Sequence, residues 1–339
     1  MRINLISDTV TKPSKEMLEM MFQAEVGDDV FQADPTINKL EAMGAELFGK
    51  EAALFCPSGT MTNQIAINCH TQPLDEIICH KLSHVHAAEG GSYAFHSGVS
   101  MTLLDGPQGK IKADQVAASI KPEYDWTPRS TLVVIENTCN IGGGAVYQKS
   151  EIEPISKLCK KEGIKFHLDG ARLFNALVET RDKPKGIGKL FDSISLCLSK
   201  GLGAPVGSLL IGNHDFIKKA RRIRKIMGGG MRQAGYLAAA GIYALENNIN
   251  RLKLDHHRAR VIAGVLEQLS FIENIRPVET NILIFDVKQP MSGIDFIEKL
   301  KKENILAVTF GPQTVRFVTH LDFTEDMLDK TVEVLKKMS

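Results

Sequence analysis

The chain has 339 residues, 43% of them hydrophobic and 24% charged, with a formal net charge of +1. That is the balance of an ordinary globular protein with room for one large and one small domain. It provides no overall electrostatic attraction to nucleic acid or to anionic membranes. The six cysteines form no CxxC pair and are too sparse for a disulfide framework. No apolar run reaches the roughly 18 residues a membrane helix needs, and a charge interrupts the N-terminus before a signal-peptide core could form. The expectation is a soluble, cytoplasmic protein.

In chain order, a helix is predicted over 36–48, where Ile37, Leu40, Gly44 and Leu47 share one face and Gly49 supplies the stop. Short runs rich in Val, Ile, Leu and Phe predict strands at 52–55, 76–79, 99–104, 131–135, 164–168, 193–198 and 207–211. Amphipathic segments lie between them, among them a helix at 61–67. This alternation predicts a mainly parallel sheet of seven strands with helices on both faces. Beyond about residue 250 the pattern changes to a helix at 250–269, an apolar segment at 281–287 and a helix near 292–303. Short strands at 305–308 and 315–319 and a helix from Thr324 complete it. The expected organisation is a large domain over 1–250, with an N-terminal arm at 1–15, and a smaller α+β domain over 251–339.

Three clusters carry chemistry. Cys56-Pro57-Ser58-Gly59-Thr60 follows a strand and opens a helix, an arrangement that presents free backbone N–H groups to a phosphate or, more plainly, caps the helix. Phe166-His167-Leu168-Asp169-Gly170-Ala171-Arg172 places Asp169 at the carboxyl end of a strand, where parallel sheets hold ligands. Ser199-Lys200-Gly201-Leu202-Gly203 places Lys200 beyond the next strand, among small residues that would let a cofactor approach the backbone. A phosphate cup, an acid for a pyridine nitrogen and an amine for an aldehyde together meet the requirements of pyridoxal phosphate (PLP).

Six basic residues at 218–225 read as a solvated helix face or subunit contact, since no aromatic residues interleave them. His84 and His86 are two apart and His256 and His257 adjacent, neither of them the i,i+4 spacing of helical metal ligands, and no metal is expected. Asp28 and Asp29 are expected to cap or hydrogen-bond locally.

Nearly end to end, the chain resembles the threonine aldolases, PLP-dependent enzymes of fold type I (aspartate-aminotransferase-like). The resemblance runs through Ser7-Asp8-Thr9-Val10-Thr11, Gly27-Asp28-Asp29-Val30, Pro57-Ser58-Gly59-Thr60 and Gly170-Ala171-Arg172. It continues through Leu198-Ser199-Lys200-Gly201-Leu202-Gly203, Gly228-Gly229-Gly230-Met231-Arg232-Gln233 and Val318-Thr319-His320-Leu321-Asp322. It implies that Ser58, Gly59 and Thr60 hold the phosphate, Asp169 the ring nitrogen and Lys200 the aldehyde, with His84 stacked on the ring. Ser7, Arg172 and Arg316 would clamp the substrate carboxylate. Arg232 would reach a phosphate across a subunit boundary, making the site a property of a homodimer within a tetramer.

The implied reaction is retro-aldol cleavage of L-threonine or L-allo-threonine to glycine and acetaldehyde, with His84 as preferred base and Glu89 as the weaker candidate. Cys139, where the family commonly has histidine, and Phe31, where tyrosine is frequent, are expected in the substrate pocket, each lacking a strong hydrogen-bonding group. The alternatives are a lyase or aldolase for another β-substituted amino acid and, less favoured, a non-catalytic PLP-binding protein.

Overall fold

The computed structural model describes residues 1–338. Seven strands form the main sheet: β1 (Ala52–Cys56), β2 (Asp75–His80), β3 (Ser100–Leu104), β4 (Arg129–Glu136), β5 (Lys165–Gly170), β6 (Ser193–Cys197) and β7 (Ser208–Gly212). Their spatial order is β1-β7-β6-β5-β4-β2-β3, with β7 antiparallel to both its neighbours and the other adjacent pairs parallel. β2, β6 and β7 are buried along their whole length; β7 reads as an apolar run, whereas β2 opens on Asp75-Glu76 and β6 alternates serine with apolar residues, all of them buried.

Helix α1 (Pro35–Phe48) shows how the local sequence sets an element. The Asp34 side chain accepts from the backbone N–H groups of Thr36 and Ile37, proline occupies the first turn, and Gly49 ends the helix in the left-handed region at φ 62°. The buried face of α1, with Ile37, Leu40 and Phe48, joins the large core between sheet and helices. Helix α2 (Gly59–His70) starts directly beyond β1, so the predicted helix at 61–67 is longer at both ends.

A second core gathers Phe285, Phe296 and Phe317 in edge-to-face contacts with helices α3 (Leu252–Leu266) and α4 (Glu325–Lys337) around it. Its sheet comprises β8 (Ile272–Glu273), β9 (Ile282–Val287), β10 (Val308–Thr309) and β11 (Thr314–Val318), all antiparallel in the order β10-β11-β9-β8. The strand expected at 305–308 is divided. Ile305–Leu306 instead pairs in parallel with Ile3–Asn4, and Ile3 and Leu5 are buried in this second core. The N-terminal arm therefore straddles the molecule.

At Gly207, before β7, φ is +113° and an added Cβ would stand 2.4 Å from Phe55 Cε2. Gly207→Ala should cost roughly 2–4 kcal/mol, read as a lower urea midpoint. Gly186→Ala, at a helical position with no atom within 4 Å of the new methyl, should cause no loss.

Candidate active site

The sheet register builds the floor of the site. Glu136 at the end of β4 lies opposite Asp169 of β5, and Asp169 lies opposite Ser195 of β6. Lys200 follows β6 in a tight turn, its carbonyl accepting from the Gly203 N–H at 2.8 Å and the Thr11 hydroxyl at 3.1 Å. The turn's glycines have a cause other than cofactor approach. A Cβ on Gly201 would meet Leu252 Cδ2 at 2.9 Å, and one on Gly203 would meet Leu321 Cδ2 at 2.7 Å.

Asp169 is buried, and its carboxylate accepts from Asn63 Nδ2 at 2.9 Å and from the Ala171 N–H at 3.1 Å. The same Asn63 Nδ2 donates to Glu89 Oε1 at 2.9 Å, and that oxygen also meets His84 Nδ1 at 2.9 Å. Gln64 Nε2 donates to Glu89 Oε2 at 2.6 Å. Glu89 thus orients the His84 ring and serves no helix cap. The hydrogen bond to Glu89 raises the His84 pKa against the effect of burial, and the charge of Asp169 adds to the rise. Glu136 accepts from the backbone N–H groups of His84 at 3.2 Å and Asn140 at 3.0 Å. Burial, with the charge of Asp169 in addition, pushes its carboxyl up to about 7.

His84, Glu89 and Asp169 bring ligand-capable atoms within 4.8 Å of one another. Those atoms already face N–H donors, Asn63 Nδ2 on both carboxylates and His84 Nδ1 on Glu89, so a cation would have to displace the donors.

Arg172 is buried and gives Nε and Nη2 to the two oxygens of Asp8, each at 2.7 Å. Burial works to raise the Asp8 pKa, but the guanidinium outweighs it and holds the carboxyl at about 2. Nη1 and the second N–H of Nη2 of Arg172 remain for a substrate. Arg316 of β11 lies over Phe310 and donates from Nη1 to Asn140 Oδ1 and from Nη2 to the Ile6 carbonyl, both at 2.9 Å. Its Nε is buried without a partner, and burial together with the charge of Arg172 lowers its pKa to about 10. Ser7 caps the short turn Asp8–Val10, accepting from the Thr9 N–H at 3.2 Å.

At the start of α2, Ser58 Oγ accepts from the Met61 N–H at 3.1 Å. The cap is therefore real, and the first helical N–H groups, of Gly59 and Thr60, remain without intrahelical acceptors. Ser208 Oγ is buried without a partner, 3.6 Å from where a Cβ on Gly59 would stand. The residues fit PLP. The helix start with the orphaned Ser208 hydroxyl suits a phosphate, Asp169 a pyridinium N–H and the orphaned Arg316 Nε an amino-acid carboxylate.

Three expected site residues are not brought together with these in the chain. Phe31 is 76% exposed on the turn Asp29–Phe31. The Arg232 side chain is 56% exposed and pairs with Asp28, which also caps Val30, while Asp29 pairs with Arg224 of the helix His214–Ile226. Two arginines of the basic run thus point inward, Arg221 to Glu41 and Arg224 to Asp29. Cys139 packs among the buried residues of the main core. It is buried, its thiol donates to the Glu136 carbonyl at 3.1 Å, and burial raises its pKa well above the ordinary thiol value. Its neighbour Asn140 takes the position beside Arg316. Asn63, Asp8, Asn140 and His167 were not singled out by sequence reasoning. The only available signal was a buried amide one helical turn beyond Gly59 and an aspartate within the Ser7 motif.

The fold is that of the fold type I PLP-dependent class. A family model described as beta-eliminating lyase matches residues 4–290. The low specificity L-threonine aldolase of Escherichia coli K12 is 42% identical over 327 residues, 96% of this chain and 96% of that protein. A solved threonine aldolase from Leishmania major superposes with a TM-score of 0.86 at 24% identity, covering 99% of both chains. A serine palmitoyltransferase solved with PLP superposes with a TM-score of 0.78 at 13% identity, over 99% of this chain and 87% of that one. The chain belongs to the beta-eliminating lyase family and, within it, to the threonine aldolases.

Asp8→Asn would leave the Arg172 charge buried and unpaired, so it should cost about 3–5 kcal/mol in denaturant unfolding. Because the folded-state pKa of Asp8 is depressed, its contribution is present above the unfolded value of 3.8 and lost as pH falls toward about 2. Wild-type stability should therefore decline across that window, and the variant should lack this component.

Proposed function

We propose that the protein is a PLP-dependent aldolase that cleaves L-threonine or L-allo-threonine to glycine and acetaldehyde by breaking the Cα–Cβ bond. The observation that carries the reading is the orphaned, buried Arg316 Nε, which is linked through Asn140 and Glu136 to the His84 backbone. A buried cationic donor without a partner calls for a ligand carrying a carboxylate. Ser58, Gly59 and Thr60 would hold the cofactor phosphate, Asp169 its ring nitrogen, Lys200 its aldehyde and His84 its ring face. When bound, PLP would supply the electron sink for the charge left on Cα.

Arg316, the free Nη1 of Arg172 and the Ser7 hydroxyl hold the substrate carboxylate and so set the orientation of Cα–Cβ. The imidazole of His84, fixed through Nδ1 by Glu89, leaves Nε2 to take the β-hydroxyl proton. Cys139, its thiol bound to the Glu136 carbonyl, takes no part in that transfer. The beta-eliminating lyase description of the family keeps one second reading in play, elimination from another β-substituted amino acid. Acetaldehyde release supports the aldolase, whereas pyruvate and ammonia would support elimination.

The two separate cores support a division into 1–250 and 251–339. Arg232 would serve a partner's phosphate in a dimer-built site within a homotetramer, a reading its exposed side chain supports. All six cysteines are free, in keeping with a cytoplasmic protein, and among the described residues no helix is long and apolar enough to cross a membrane.

Lys200→Ala should abolish acetaldehyde production. Arg316→Ala should raise KM for threonine by about 100-fold, and Cys139→Ala should stay within about threefold of wild type. The rate should rise with pH as His84 loses its proton. Glu89→Gln removes the interaction that raises the His84 pKa, so its rate profile should shift toward lower pH.

A further inference from the structure

Behind Asp169 runs a chain of buried polar side chains that the proposed reaction does not use. His70 Nε2 lies 2.8 Å from Ser193 Oγ, and the same oxygen lies 2.8 Å from His167 Nδ1. His167 Nε2 lies 3.2 Å from Asn63 Oδ1, and Asn63 Nδ2 reaches both Asp169 and Glu89. The chain thus crosses from the last residue of α2, through the first residue of β6 and the middle of β5, back to α2 and the site.

The direction of every bond follows from one amide. Asn63 must turn its NH2 toward two carboxylates, since its oxygen there would face two acceptors. Its oxygen therefore faces His167 Nε2, so that nitrogen carries the proton. Burial lowers the His167 pKa to about 3 and the His70 pKa to about 4, leaving both rings neutral. In a neutral ring Nδ1 of His167 is then an acceptor, so the Ser193 hydroxyl donates to it and accepts in turn from the His70 Nε2–H. All donors point toward Asp169 and Glu89. A donor on the Asn63 oxygen polarises the amide and strengthens both of its N–H bonds.

We infer that His167, backed by Ser193 and His70, is a positioning residue that acts through Asn63 to hold the ring-nitrogen acid Asp169 and the Glu89–His84 pair in fixed relation. The inference rests on the PLP reading above and extends it to residues that touch neither cofactor nor substrate. Asn63 is the shared hinge, because a single nitrogen spans the group beneath the ring nitrogen and the group beside the ring face.

Two measurements test it. Nitrogen NMR of labelled histidines in the cofactor-free wild-type protein should show His167 and His70 as neutral Nε2–H tautomers near neutral pH. A proton on Nδ1 of His167, or a charged imidazolium, would overturn the inference. His167→Phe removes the donor to Asn63 and should weaken PLP binding about tenfold by equilibrium dialysis, with an altered visible spectrum of the bound cofactor. His167→Gln can still donate to Asn63 and should return to within about threefold of wild type, whereas a merely packed core position would follow side-chain shape instead. Wild-type affinity and spectrum in His167→Phe, or equal impairment in His167→Gln, would sink the idea. If His167→Phe does not fold, Ser193→Ala and the tautomers decide; Ser193→Ala should weaken PLP binding about threefold, and no effect there would count against the chain. Failure of the wild-type protein to take up PLP would overturn the cofactor reading alone, since the tautomers are read without it.

Discussion

Three carboxyl groups, those of Asp169, Glu136 and Glu89, are buried close together at the end of the main sheet, and much of the site follows from that. Like charges in a medium of low dielectric cannot stand together without compensation. Each group has a different answer. Asp169 and Glu89 share the donor Asn63, Glu89 is also paired with His84, and Glu136 is shifted toward its neutral form by burial and the charge of Asp169. The donors that make this burial tolerable also leave acids and an imidazole set in known orientations, which is what acid–base chemistry on an amino acid requires.

The second constraint is the buried Asp8–Arg172 pair, which draws the N-terminal arm across the site. Asn281, at the edge of β9, joins Asp8 at 3.3 Å, so both cores meet at this ion pair. Arg316 comes from the second core and reaches Asn140 beyond β4 and Ile6 in the arm. Arg316 therefore joins three stretches of chain that are distant in sequence.

Much of the architecture was legible in the sequence because its signals are local. All seven main strands appear near their expected places, since strands covered on both faces are rich in Val, Ile, Leu and Phe even where buried Ser193, Ser195 and His167 interrupt the run. The caps at Asp34 and Ser58 and the stop at Gly49 work through neighbouring backbone groups, so they too were readable. The turn after Lys200 was readable as glycine-rich, but its packing against Leu252 and Leu321, which arrive from other elements, was not. The split of 305–308 depended on pairing with Ile3–Asn4, which no local pattern announces.

By itself, the sequence determined the order of elements and the likeness to threonine aldolases, and it singled out Lys200, Asp169 and Ser58–Thr60 as candidates, because each signal is carried by residues contiguous in the chain. Tertiary structure alone decided which polar groups meet. It engaged Arg172 with Asp8 and left Arg316 Nε open. It turned Cys139 into the core beside the residue that does reach Arg316, and it joined His167 to Asp169 through Asn63. The physical reason is that a buried polar group is defined by its partners, and those partners come from strands and helices that only folding brings together.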